Sequence, residues 1–258
     1  MDTITAGLDS SPAARAGGLV DPESGPLLAR WLGRVPYRDA WALQHELVSR
    51  RAAGEIPDTL LLLEHPAVLT LGRHADERHI LATPGELAAR GIESIRIERG
   101  GEVTYHGPGQ LVAYPIVALS ARGLLLRPFV RALEAAMVAT CASLGVTAAR
   151  REGHPGCWCD VDGRRPRKIG ALGVRIERGV SYHGIALNVH PDLRDFELID
   201  ACGMPGVEST SIAREAGWAA GHPAGAGIVA GAAATFAGAF ADLLGTTIEG
   251  ELPAVVAG

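Results

Sequence analysis

Lys168 is the single lysine among the 24 basic residues of this chain. An arginine keeps its proton near neutral pH, whereas a desolvated lysine, or one beside another cation, can give its proton up. One lysine kept in an arginine-rich chain therefore has two readings, proton transfer or chance retention. Arg164, Arg165 and Arg167 beside it fit two readings: cations that ease the proton off, or a solvated basic loop. A second candidate is Cys202, in Asp200-Ala201-Cys202-Gly203-Met204-Pro205-Gly206, directly after the apolar pair Leu198-Ile199. A thiol on a tight turn is open to a substrate, and small neighbours leave room for backbone N–H groups to hold an oxyanion. The alternative is a small buried hydrophobe, the commoner fate of an unpaired cysteine.

The stretch Arg99-Gly100-Gly101-Glu102-Val103-Thr104-Tyr105-His106-Gly107-Pro108-Gly109-Gln110 mixes glycines, which admit close backbone approach, with polar side chains that can grip a head group. Its glycine spacing is not a dinucleotide fingerprint, and no G-K-[ST] follows as in a phosphate loop. It reads as a binding loop of unnamed ligand, or as a glycine-rich hairpin with a satisfied histidine. Arg178-Gly179-Val180-Ser181-Tyr182-His183-Gly184 echoes it, as two hairpins of similar turn chemistry or as two turns facing across one pocket. Cys157-Trp158-Cys159 alternates as a strand does, putting both thiols on one face near His154. Zinc would need two more ligands and no second paired cluster exists, so no metal is expected. Cys141 falls on the apolar face of a helix and reads as core.

The elements that must position these residues are visible in the periodicity. Pro36 opens a helix continued by Tyr37, Trp41, Gln44, His45 and Val48 until Gly54. Leu60 to Leu63 and Val68 to Leu71 read as two strands around the turn Glu64-His65-Pro66. Ile95 to Arg99, Val103 to Tyr105 and Leu111 to Val117 continue the strands, and a second helix runs from Arg127-Pro128 to Gly145. Cys157 to Asp160, Ile169 to Glu177 and Val180 to Val189 are further strands. Ala224 to Ala241 is uncharged, but Ile228, Ala232, Phe236, Phe240 and Leu244 recur on one face, as in a core helix rather than a membrane span. The class is α+β, a mixed or antiparallel sheet with helices. Residues 1–25 read as a disordered tail and 26–258 as one domain.

With 47% hydrophobic residues the chain can bury a large core, and a net charge of -5 gives no pull toward nucleic acid or an anionic membrane. Four cysteines are too sparse for a disulfide framework, and the N-terminus lacks a basic segment followed by an apolar one. Reduced thiols and a cytoplasmic location are expected.

The pattern Arg99-Gly100-Gly101-x-x-Thr104-Tyr105-His106-x-x-Gly109-Gln110-x-Val112-x-Tyr114 resembles the signature of the lipoate-protein ligase B family, the octanoyl-[acyl-carrier-protein]:protein octanoyltransferases. Leu63-Glu64-His65-Pro66, Lys168-Ile169-Gly170-Ala171-Leu172-Gly173-Val174-Arg175, His183-Gly184-Ile185-Ala186-Leu187-Asn188-Val189 and the Cys202-Gly203 turn extend the resemblance over about Leu27 to Leu244. It implies the mixed sheet flanked by helices of biotin and lipoate ligases. It also implies that Cys202 takes octanoyl from acyl carrier protein as a thioester and passes it to a lysine of a lipoyl domain. Lys168 would stabilise the thiolate and relay protons, without ATP, metal or other cofactor. Residues Arg99 to His106, Ala171, Leu172, Gly173, Gly184, Ile185 and Ala186 would line the acyl site. Acceptors would be the lipoyl domains of 2-oxoacid dehydrogenase complexes and the glycine cleavage H protein, served by a monomer. The chain departs from the family in having Ala201 where a proline often precedes the cysteine, and Cys157 and Cys159 where apolar residues stand. Arg150, Arg151, Arg164, Arg165 and Arg167 offer a local basic surface for an acidic carrier.

Overall fold

The structure, a computed structural model, describes residues 25–218 and 227–254. The expected tail lies outside the described residues except for Gly25, as do the first three residues of the helix expected over Ala224 to Ala241. A mixed eight-stranded sheet forms the centre. In chain order its strands are β1 (Leu27–Arg34), β2 (Thr59–Glu64), β6 (Gln110–Ile116), β7 (Ala149–Arg151), β8 (His154–Cys159), β9 (Arg167–Glu177), β10 (Val180–Asn188) and β11 (Ile248–Glu249). They lie side by side as β11-β1-β2-β6-β10-β9-β8-β7. The pairs β11–β1 and β1–β2 are parallel and the others antiparallel. A second sheet of three strands has the order β4 (Glu93–Arg96), β3 (Val68–Leu71), β5 (Val103–His106).

Helices cover the large sheet on both faces, which is why its central strands are apolar without alternation. In β2, Leu60 and Leu62 point toward α3 (Leu126–Ser143) and α5 (Ile228–Leu243), which join them in the main core, Phe129 meeting Phe240 edge to face at 6.0 Å. Leu61 and Leu63 point the other way, where Ala40 of α1 (Tyr37–Ala52) packs with Val112 and Tyr114. Ile228, Ala232, Phe236, Phe240 and Leu244 are all in the main core. β9 and β10 form one long hairpin, closed at Arg178-Gly179 with positive φ at both residues, the turn whose twist matches the strands. Gly184 permits β10 to lie tight on β6, since a Cβ there would fall 2.0 Å from the Ala113 carbonyl oxygen.

Two differences from the sequence reading bear on the site. β2 and β3 both form but do not pair with each other. β1 and β6 take both edges of β2, so the turn at Glu64-His65-Pro66 carries the chain across to the small sheet, where β3 pairs with β4 and β5. A short helix, α2 (Pro84–Ala89), also appears, capped by Thr83 and Glu86 in a reciprocal box with proline in its first turn. That Thr-Pro-Gly-Glu signal stands in the sequence, but six residues are too few to show a helical period.

Candidate active site

The two sheets leave a cavity of about 300 Å3 between them, and Cys202 and Lys168 stand at it together. Lys168 is the second residue of β9 and is 8% exposed; its ammonium donates to Cys202 Sγ over 3.3 Å. The approach is built by the chain after the cysteine. Lys168 N–H donates to the Glu208 carbonyl and Thr210 N–H to the Lys168 carbonyl, each at 2.9 Å, so this segment lies alongside the start of β9. On the other flank Asp200 N–H donates to the His79 carbonyl at 2.8 Å, and Ile80 bridges Ile199. The turn Ala201–Gly203 is thus held from both sides, which sustains Cys202 at φ 60°, a left-handed conformation rare outside glycine. Gly203 N–H and Met204 N–H are bonded to the Asp200 and Ala201 carbonyls. These two donors are committed inside the turn, not left open for an oxyanion as its small residues suggested.

Trp158 backs the lysine. It is the register partner of Lys168 across β8 and β9, fully buried, with the ammonium 5.2 Å from its ring centroid and its indole N–H donating to the His154 carbonyl at 3.0 Å. Gly156 lets β8 press on the lysine stem, since a Cβ there would sit 3.0 Å from Lys168 Cε and 2.5 Å from the Gly170 oxygen.

The cavity walls are mainly apolar. Ala171, Leu172 and Gly173 come from β9, and Gly184, Ile185 and Ala186 from β10, with Tyr37 and Tyr114 behind. Behind its polar residues His106 and Arg99 runs a connected chain of hydrogen bonds. The Asn188 amide donates to the Thr210 carbonyl, leaving its oxygen to accept from Gln110; the Gln110 oxygen in turn accepts from His106 Nδ1 at 2.7 Å. His106 Nε2 then faces Thr70 Oγ1, which also accepts from the buried Arg99 guanidinium. Each amide orientation and the histidine tautomer follow from the one before. Burial, and then the neighbouring His65, hold His106 down at about 3, and burial, outweighing the hydrogen bond with the Val35 carbonyl, brings His65 to about 4. Both are neutral at pH 7. Burial also lowers His183, whose Nε2 lies 3.3 Å from Glu98. Burial would raise the Glu98 carboxyl, but hydrogen bonds from His183 and Trp41 outweigh it and leave the group at about 2. Arg99 and Lys168 both bring cationic groups to the cavity.

Of the residues expected at the site, Arg99, Gly101, Glu102, Thr104, His106, Lys168, Ala171, Leu172, Gly173, Gly184, Ile185, Ala186 and Cys202 reach the cavity. Gly100, Val103 and Tyr105 do not. The alternation of β5 sends Thr104 and His106 to the cavity and Val103 and Tyr105 into the core of the small sheet, where the Tyr105 hydroxyl donates to Asp195 at 2.7 Å. Gly100 lies against β9, its carbonyl 2.8 Å from where a Gly173 Cβ would be. Glu102 accepts from Asp76 N–H and packs on Gly203, tying the cysteine turn to the small sheet. His183, Tyr114, Tyr37, His154 and Met204 also line the cavity without having been picked out as site residues. Tyr114 closes the glycine-rich signature and His183 sits in its echo, so both had a signal; Tyr37 had only its helical spacing. The echoed histidines meet at the cavity, but the turns do not face each other: Gly179 bonds Leu119 at the far end of the β9–β10 hairpin.

Cys141, Cys157 and Cys159 are buried in the main core. A hydrogen bond with Cys157 and burial push the Cys141 thiol up, and burial takes Cys159 to about 12. Among the described residues no three His, Cys, Asp or Glu side chains gather as a metal site, and no helix is long and apolar enough to cross a membrane. Of the five arginines expected to form a basic surface, Arg150 pairs with Glu134 and Arg167 with Glu215.

The lipoyl protein ligase A/B catalytic domain family matches residues 36–220. A Chloroflexus aggregans protein named octanoyltransferase is 50% identical over 187 residues, covering 72% of this chain and 83% of that protein. An octanoyltransferase of Acidothermus cellulolyticus is 48% identical over 185 residues, covering 72% and 80%. Among solved structures, the bipartite lipoate protein ligase of Thermoplasma acidophilum superposes with a TM-score of 0.59 at 15% identity, covering 90% of this chain and 88% of that one. A lipoate-protein ligase A bound with ATP gives 0.60 at 15%, covering 88% of each. At such identity the two structures speak for the fold alone.

Proposed function

Given that the chain belongs to the lipoyl protein ligase A/B catalytic domain family and is an octanoyltransferase of protein lipoylation, we propose that it works through an octanoyl thioester on Cys202. The donor is octanoyl-acyl carrier protein, and the acceptor is a lysine of a lipoyl domain, in 2-oxoacid dehydrogenase complexes or the glycine cleavage H protein. The protein acts as a cytoplasmic monomer. The observation that carries this reading is the 3.3 Å contact between Lys168 Nζ and Cys202 Sγ in the lining of a mainly apolar cavity.

The chemistry balances with these two groups. At the start the thiol proton rests on Lys168, whose ammonium donates to the Cys202 thiolate and stabilises it. Sγ attacks the thioester carbonyl of the donor; the new C–S bond forms as the donor C–S bond breaks, and the departing thiolate takes a proton from Lys168. The octanoyl chain lies in the cavity between the two sheets, against Leu172 and Ile185. The acceptor amine then attacks the Cys202 thioester, its surplus proton passes to Lys168, and Cys202 leaves as thiolate. Neutral His106 adds no charge beside the acyl chain.

Intact mass spectrometry tests this directly. With octanoyl-carrier protein alone, the protein should gain one octanoyl group mapping to Cys202, discharged on adding a lipoyl domain; Cys202→Ser should gain none. Octanoylation of the lipoyl domain that needs ATP and leaves Cys202 unmodified would replace the thioester route by adenylate activation.

A further inference from the structure

A second space lies beside the acyl cavity, lined by neighbouring positions of the same chain segments. The β7–β8 hairpin gives His154 and Pro155 to the first cavity and Arg151 to another of about 490 Å3; the chain after the nucleophile gives Met204 to the first and Gly206 to the second. Two chain segments that line the first cavity thus run on to line the second. Arg164 and Arg165, just ahead of Lys168, close the second. Gly206 is four residues from Cys202 and Arg165 three from Lys168, distances of at most about 14 and 11 Å along the chain.

This space is cationic in a protein of net charge -5. Its one carboxylate, Glu208, is engaged by Arg214. Among the described residues no carboxylate lies within ion-pair distance of Arg164 or Arg165, and the Arg151 guanidinium lies over Trp158, 5.2 Å from its ring centroid. A thioester has two sides. With the acyl chain in the cavity between the two sheets, the arm bearing the leaving thiol runs away from it, and the neighbouring space lined by Arg151, Arg164 and Arg165 lies within its reach of Cys202. The pantetheine arm of a carrier ends in a phosphate, and guanidinium groups match phosphate oxygens in paired, charge-assisted hydrogen bonds.

We propose that the groove formed by Arg151, Arg164 and Arg165 binds the phosphate of the donor's pantetheine arm. This rests on the thioester reading of Cys202 and adds a subsite for the leaving group. The groove recognises the donor half-reaction only, because an acceptor lysine brings no phosphate.

The test measures the rate of Cys202 octanoylation by intact mass with three donors: octanoyl-pantetheine, octanoyl-4′-phosphopantetheine and octanoyl-carrier protein. The natural protein should use the phosphorylated small donor at least about tenfold better in kcat/KM than the unphosphorylated one. In Arg164→Gln/Arg165→Gln that ratio should fall toward one, and adduct formation from octanoyl-pantetheine reports that the variant is folded. No preference in the natural protein, or a preference that survives in the variant, overturns the proposal. A variant slowed with the carrier while the small-donor ratio holds assigns the groove to the carrier's protein surface and overturns it as well. Absence of adduct from all three donors in the natural protein is the distinct failure of the Cys202 reading itself.

Discussion

The Lys168 ammonium stands 5.2 Å from the centroid of the Trp158 ring while bonded to Cys202 Sγ. The two residues are register partners on neighbouring strands, so strand pairing sets the contact. An ammonium can donate three hydrogen bonds, and the aromatic face attracts the charge without competing for them. The ring thereby holds the charged lysine in place while leaving donors for the thiolate and the leaving group.

Removing the ring should slow Cys202. A partly desolvated cation–π contact is worth about 0.5–2 kcal/mol, so Trp158→Leu should lose roughly two- to thirtyfold in the rate of Cys202 alkylation by iodoacetamide, with Trp158→Phe in between. Both variants lose packing, so melting temperatures are read alongside. Equal loss in Phe and Leu would assign Trp158 to packing alone.

Lys168→Arg separates charge from proton transfer. A guanidinium still favours the thiolate but cannot accept a proton, so acylation should survive in part while amine attack on the thioester slows more. Octanoyl-enzyme should accumulate when donor and lipoyl domain are both present. Single-turnover rates decide it: equal slowing of the two half-reactions would remove the base role.

Stability should fall on the acid side. His106 and His65 are held near 3 and 4 in the fold, but titrate at about 6.5 in the unfolded chain. Below pH 6.5 the unfolded chain therefore binds protons that the fold refuses. Their contribution is complete above that pH and is lost at about 1.4 kcal/mol per pH unit for each histidine as pH falls toward 4. Urea midpoints from pH 7 to pH 5 should show this slope, and His106→Asn, though less stable at pH 7, should show a shallower one. Parallel slopes would place the acid sensitivity elsewhere.

Gly156→Ala should cost activity beyond its cost in stability. Its φ of 128° and the crowding against the Gly170 oxygen and Lys168 Cε predict about 1–3 kcal/mol of destabilisation and a displaced lysine, with transfer down at least about tenfold. Gly54→Ala, at φ 74° with open space around it, should be destabilised by its backbone alone and keep its transfer rate. Similar activity loss in both would mean that Gly156 has no bearing on the lysine.

Local chemistry made much of this protein legible. The helical spacing from Tyr37, the apolar runs at Leu60 and Leu111, and the recurrence of Phe236 and Phe240 each depend on a period within one element. They predicted α1, β2, β6 and α5 because an element that buries a face must repeat at its own geometry. Lys168 and Cys202 stood out for a similar reason, since a lone lysine and a thiol among turn residues are local anomalies of type.

What the sequence alone left open concerns partners far apart in the chain. It could not say that β2 and β3 belong to different sheets, because register and pairing depend on which edges other strands have already taken. It grouped Val103 and Tyr105 with Thr104 and His106, and only the packing of β5 chose which face meets the cavity. Lys168 and Cys202 are 34 residues apart, and the backbone bonds of Glu208 and Thr210 to Lys168 bring them within 3.3 Å. Propensity and hydrophobic period are properties of neighbours in sequence; a reacting pair is a property of neighbours in space, fixed when tertiary contacts close the chain between them.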